Sequence, residues 1–201
     1  MHSQPLSTVN QATYLGIELT SAHVNKVTNK ASQTLGFLRR NIHSASKETK
    51  AAAYNTLVRP TLEYSSSAWD PYLKKDIDKI ESVQKLVSNN YDKTPGTMTS
   101  IMSSLHWQSL ESRRASARLT LFYKMVNSEV AVNLNNYVHP YARQSRHYHD
   151  QAYLPFQPSN DTFKYSFFPR TVLLWNSLPQ RVVSVDTVSG FGSALAARAG
   201  P

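Results

Sequence analysis

The chain has 201 residues and carries 22 Lys and Arg against 13 Asp and Glu, a formal charge of +9, with no cysteine. The length suits one or two small domains with a sizeable core. The missing cysteines exclude disulfides and cysteine-ligated zinc and fit a reducing compartment, while the basic balance points to a polyanion partner, nucleic acid before an anionic membrane surface.

Residues 1–10 are polar and read as a loose start. Residues 12–19 alternate as a short strand pair. Residues 22–43 form the clearest helix, because Val24, Val27, Ala31, Leu35, Leu38 and Ile42 fall on one stripe at helical spacing. Lys26, Lys30 and Arg40 fall on the opposite side, around Phe37. Ser46 reads as the N-cap of a second helix running to Val58, with Glu48 favourable near its positive end. Pro60 is expected to kink or end that helix. Asp70-Pro71 reads as the cap and first turn of a third helix, with Ile77, Ile80, Val83 and Val87 inward.

Pro95-Gly96 marks a loop over 89–99, followed by a short helix over 98–105. Residues 109–127 form a long helix. Ala115, Leu119, Phe122, Tyr123 and Val126 make its apolar stripe, with Arg113, Arg114, Arg118 and Lys124 on the far side. The stretch 137–160 is rich in His, Tyr, Gln and Pro without periodicity, and reads as a linker or docked loop. Two adjacent aromatics, Pro169-Arg170 and Trp175 follow within a packed segment that the proline is expected to bend. A final helix covers 189–198. The expected class is mainly α: an N-terminal strand pair over 1–20, a helical bundle over 21–136, a linker or docked loop over 137–162 and an irregular C-terminal segment over 163–201. No apolar run is long enough for a membrane helix or a secretory signal.

Between Thr20 and Pro60 stand seven basic residues, Lys26, Lys30, Arg39, Arg40, Lys47, Lys50 and Arg59, and one acidic one, Glu48. On consecutive helices they form a surface that either follows a phosphate backbone or is simply a solvated basic face. Arg113, Arg114 and Arg118 are further candidates for phosphate contact. His139, His147, His149 and Asp150 lack a well-spaced fourth ligand, so no metal site is assigned. No nucleophile elbow or phosphate-binding glycine loop occurs, and no catalytic residue is assigned. Tyr64, Trp69, Trp107 and Trp175 have the chemistry to stack on bases, but their apolar neighbours favour core packing.

Several short blocks carry a resemblance in their order. They are Tyr14-Leu15-Gly16-Ile17, Thr34-Leu35-Gly36-Phe37-Leu38-Arg39-Arg40-Asn41, Tyr54 to Pro60, Ala68-Trp69-Asp70-Pro71, Leu105-His106-Trp107 and Leu110-Glu111-Ser112-Arg113-Arg114. The last is Ser166-Phe167-Phe168-Pro169-Arg170-Thr171 with Leu174-Trp175-Asn176 and Leu178-Pro179. In this order they resemble the region from the end of the palm through the thumb to the post-polymerase tail in reverse transcriptases of non-long-terminal-repeat retrotransposons, the jockey-like lineage of LINE elements.

The resemblance implies a thumb-like bundle that holds an RNA template with its DNA primer, and an upstream palm and fingers domain as partner within a larger polyprotein. Tyr14, Leu15 and Gly16 would correspond to a primer-grip-like strand. The parent activity would be RNA-directed DNA polymerisation, using Mg²⁺, with an endonuclease upstream, and its place would be intracellular, cytoplasmic or nuclear. The chain departs from the family in two places. Lys85-Leu86-Val87 runs straight into Ser88-Asn89-Asn90, where a longer basic stretch is usual. No two acidic residues are adjacent anywhere, so the aspartate box that holds two catalytic metals is missing. The expected role is therefore template and primer binding, without catalysis and without a cofactor of its own. A rival expectation is a stand-alone helical protein-interaction module or a degenerate transposon relic.

Overall fold

A computed structural model of the chain describes residues 13–14, 17–18, 22–88, 107–141 and 149–198, and the fold is mainly helical. The expected loop over 89–99 and short helix over 98–105 lie outside the described residues, as do Leu15, Gly16, Arg143, Arg146 and His147. Two compact units emerge. One holds the described residues up to Ser65 together with 73–88; the other holds Ser66–Tyr72 and the described residues from 107 onward.

The first unit is built around one helix. Strands β1 (Thr13–Tyr14) and β2 (Ile17–Glu18) pair antiparallel, with Tyr14 opposite Ile17 and Thr13 opposite Glu18. The Glu18 N–H donates to His23 Nδ1 at 3.2 Å, and the Glu18 carboxylate pairs with Lys26. These two bonds tie β2 to the start of α1 (Ala22–Asn41). Helix α1 buries Val24, Val27, Thr28, Ala31, Leu35 and Leu38, steps of three and four residues that keep one stripe inward. The Thr28 hydroxyl, buried with them, is satisfied by donating to the Val24 carbonyl at 2.8 Å.

Ser46 caps α2 (Lys47–Ala53) as its sequence implied: extended backbone, with Oγ accepting the Thr49 N–H at 3.3 Å. Glu48 has its carboxyl held below the usual range by a backbone N–H and the Ser46 hydroxyl. Pro60 does not end the helical path. A five-residue π turn, Tyr54–Val58, precedes it, and α3 (Arg59–Glu63) continues with the proline at its start. Proline cannot donate an N–H to the carbonyl four residues back, so the widened turn takes up the mismatch, with the Arg59 N–H bonding the Tyr54 carbonyl. Helix α5 (Lys74–Ser88) presents Ile77, Ile80 and Val83 to the interior; its Gln84 accepts the buried Tyr54 hydroxyl at 3.2 Å. The side chain of Val87 lies outside the described residues. Helix α5 begins at Lys74, so Asp70 is not its cap.

The second unit opens with α4 (Ser66–Trp69), which packs on α6 (Leu110–Val126). Ser109 caps α6 by accepting the Ser112 N–H at 3.1 Å. A 3₁₀ turn, Leu134–Asn136, leads to α7 (Asp161–Lys164), α8 (Phe167–Asn176), α9 (Gln180–Val183) and α10 (Val188–Arg198). The two adjacent aromatics, Pro169-Arg170 and Trp175 all fall on α8. Pro169 lies in its first turn, where a missing N–H costs no helical bond, and the helix runs unbroken through it to Asn176.

Trp175 is fully buried at the centre of this unit. Its ring meets Phe122 edge-on at 5.2 Å and Phe191 at 5.9 Å, while Tyr123 stacks on Phe191 at 4.5 Å. Leu119, Leu134, Val138, Val172, Leu178 and Leu195 complete the core. Leu173, grouped with Trp175 in sequence, faces outward at 60% exposure.

The described part of 137–162 is docked on this core. The Trp175 indole N–H donates to the Gln151 carbonyl at 2.8 Å, and the Asn176 amide bonds both polar groups of the Tyr153 backbone at 2.7 and 3.0 Å. An apolar-looking helix thus supplies, through Trp175 and Asn176, the hydrogen-bond partners that an irregular strand of chain needs. No helix among the described residues is long and apolar enough to cross a membrane.

Candidate nucleic-acid interface

The outer face of α1 is where sequence and geometry agree. At about 100° per residue, Lys26, Lys30, Phe37 and Arg40 fall within one narrow stripe opposite the buried one. Lys30, Arg39 and Arg40 are exposed, and the Lys26 side chain keeps 57% of its surface while reaching Glu18. Phe37 is 56% exposed in the middle of the stripe, an apolar ring with basic neighbours before and after it. Arg40 lies back along the helix, with its Nη1 3.6 Å from where a Cβ on Gly36 would stand. Lys47 is exposed on α2 and Lys50 half-buried. Arg59 is half-buried and lies 3.9 Å from the Glu63 carboxylate, one helical turn on. Such a face, cationic with one exposed ring, can bind phosphates in sequence-independent fashion and offer a base or sugar an apolar contact.

The residues expected to form a primer-grip-like strand are only partly described. The Tyr14 backbone is paired in the hairpin, whereas its side chain, Leu15 and Gly16 lie outside the described residues.

Two of the three α6 arginines are not on a far face. Arg114 and Arg118 are buried, at 0% and 4% side-chain exposure, and both bind the carboxylate of Asp70. Arg114 Nε donates to Oδ1 at 2.7 Å, Arg118 pairs with Oδ2, and Arg170 from α8 reaches Oδ2 at 3.2 Å and the Asp70 carbonyl at 2.9 Å. Arg113 is half-buried. The expectation that the α6 arginines line an open phosphate-binding surface is therefore corrected for Arg114 and Arg118. The reason is register: Leu110, Arg114, Arg118 and Phe122 recur every four residues, so both arginines share the buried face with two apolar residues. Burial costs the charge, and Asp70 offsets part of that cost. Desolvation, reinforced by the charge of Arg170, pulls Arg118 down to about 10. Burial, and then Arg114, also lower Arg170, against the opposing effects of Glu111 and Tyr165.

Asp70 is the residue whose role sequence reasoning missed. Its place before a proline reads as a helix cap, and its partners lie 44 and 100 residues away. The signal within reach was the arginine pair spaced four apart in phase with Leu110 and Phe122.

His149 is also structural: its Nε2 lies 2.9 Å from the Trp175 carbonyl, and the ring packs edge-on to the indole. His139 is exposed. Among the described residues no group of three or more His, Asp and Glu converges on a common point. Of the aromatics weighed for base stacking, Trp175 is core, Trp69 and Trp107 are half-buried, and Tyr64 is 60% exposed, contrary to its expected core place.

Comparison with models of known families, with curated proteins and with solved structures returns no match.

Proposed function

We propose that the chain is the C-terminal part of a jockey-like retrotransposon reverse transcriptase, which holds and orients an RNA template with its DNA primer and does not itself catalyse. The observation that carries this reading is the solvent-facing stripe Lys26, Lys30, Phe37 and Arg40 on α1, opposite the buried face of the same helix. It supplies charge for the phosphate backbone and one ring for nonspecific apolar contact, the chemistry that a thumb needs. The ordered blocks of residues, from Tyr14 to Pro179, supply the lineage. In this reading the polymerase domains and their Mg²⁺ belong to an upstream palm and fingers, and the work is done inside the cell, in cytoplasm or nucleus.

Phosphate-borne affinity has a measurable signature. Contact with about four phosphates gives a log–log salt slope near −3.5 on a duplex, independent of sequence. Fluorescence anisotropy of a labelled RNA–DNA hybrid, titrated with the chain over a range of salt, measures it. A slope near zero, or the absence of binding at low salt, would remove the basis for the proposal and leave a protein-interaction module as the better reading.

A further inference from the structure

Helix α10 meets α9 with small side chains. Ala194 is half-buried and Ala197 exposed, and with Arg198 they fall three and four residues apart along one face of α10. Phe191 and Leu195 make the core contact of this helix and are buried. The alanines are too short to fill the space beside α9, and a cleft of about 340 Å³ is left there. Pro179, Val182, Ala194 and Ala197 give it aliphatic walls, and Arg181 and Arg198 give it charge. All six residues belong to the second unit.

The two arginines are exposed, and neither side chain makes an ion pair or hydrogen bond among the described residues. The described lining holds no Asp or Glu. Arg170 of the same unit, by contrast, is held by the Asp70 carboxylate at 3.2 Å. The cleft therefore presents cations without a counter-ion at the edge of an unfilled apolar floor. Its volume falls within the range of small-molecule sites. Its walls carry no aromatic ring, so a base has nothing to stack on. An aliphatic chain suits the floor, and a planar carboxylate suits guanidiniums, which can meet it with paired N–H donors.

We propose that the cleft between α9 and α10 binds an aliphatic monocarboxylate, with the chain against Pro179, Val182, Ala194 and Ala197 and the head held by Arg181 and Arg198. The site is separate from the α1 stripe and stands whether or not that stripe grips nucleic acid. The test is calorimetric titration of the full chain with octanoate, butanoate and octylammonium at matched ionic strength. Octanoate is expected to bind saturably, one per chain. Butanoate, four methylenes shorter, should bind at least about tenfold more weakly. Octylammonium keeps the chain and reverses the head, and should not bind. Arg181→Gln, at an exposed position, should weaken octanoate about fivefold. Arg198 also borders a smaller cleft beside Leu174 and Leu178, whereas Arg181 lines only the cleft beside α9, so Arg181→Gln assigns the site. Ala197→Leu should fill the cleft and abolish octanoate binding with both arginines in place.

The absence of saturable octanoate binding in the millimolar range overturns the proposal. So does equal affinity for octanoate and butanoate, which would leave the floor without a role, or equal affinity for octanoate and octylammonium, which would leave the arginines without one. Undiminished binding by folded Arg181→Gln or Ala197→Leu would place the ligand elsewhere and overturn it as well. If either variant fails to fold, the three ligands on the unsubstituted chain still decide.

Discussion

Asp70 and Trp175 each organise groups from distant parts of the sequence, and both make their contacts inside the second unit. Replacing Asp70 by Asn keeps the shape and removes the charge, leaving two buried guanidiniums and one half-buried one without their counter-ion. Breaking one partner of a buried ionic cluster costs about 3–5 kcal/mol, so Asp70→Asn should lower the urea midpoint by that equivalent. A change within error would mean that solvent already screens the cluster. Trp175→Ala removes a side chain with no exposed surface and its hydrogen bond to the Gln151 carbonyl. The expected loss is again about 3–5 kcal/mol, through lost transfer and the cavity left behind. Hybrid binding by the variant, measured where it remains folded, should be unchanged. An unaltered midpoint with weaker binding would make this tryptophan a base-stacking surface instead.

At the scale of elements, the link between β2 and α1 is sensitive to pH. His23 accepts the Glu18 N–H at Nδ1, and its pKa lies below the ordinary 6.5, chiefly through burial and secondarily through the charge of Lys26, with Glu18 opposing. In the folded state the ring resists the proton that the unfolded chain accepts. Stability is therefore lost as pH falls below 6.5 and levels off once the folded-state ring is protonated too. The midpoint of the unsubstituted chain should fall through this window more steeply than that of His23→Gln; parallel profiles would show that the ring takes no part.

The same scale shows what the residue pattern discloses and what it hides. Helices α1 and α6 were readable because their apolar residues recur at helical spacing, and α2 because Ser46 offers an oxygen to its first turn. The π turn before Pro60 was not, since proline specifies a missing donor and not the way the chain absorbs it. Arg114 and Arg118 were assigned to the wrong face because charge was taken as a sign of solvent, and only the distant carboxylate of Asp70 makes their burial tolerable. Of the candidate site, the α1 stripe followed directly from periodicity, since an amphipathic helix with one apolar face leaves its lysines and Arg40 outside.

For the whole chain, the proposed role is binding without catalysis, in a sequence of charge +9 with no two adjacent acidic residues. Two-metal nucleotide transfer needs closely set carboxylates, so primer extension by the purified chain with Mg²⁺ or Mn²⁺ should give no product. Extension abolished by a substitution within this chain would contradict the proposed role.

The salt dependence of hybrid binding in the triple variant Lys26→Glu, Lys30→Glu, Arg40→Glu bears most directly on the proposed role. These side chains lie outside the buried stripe of α1, but Lys26→Glu also breaks the pair with Glu18, so the double variant Lys30→Glu, Arg40→Glu is measured beside the triple one. If α1 follows the phosphate backbone, reversing three of about four contacts should bring the slope from near −3.5 to about −1 and abolish measurable affinity at moderate salt. A variant that binds as tightly, with the same slope as the unsubstituted chain, would show that this stripe is a solvated face and that the chain does not grip nucleic acid through it.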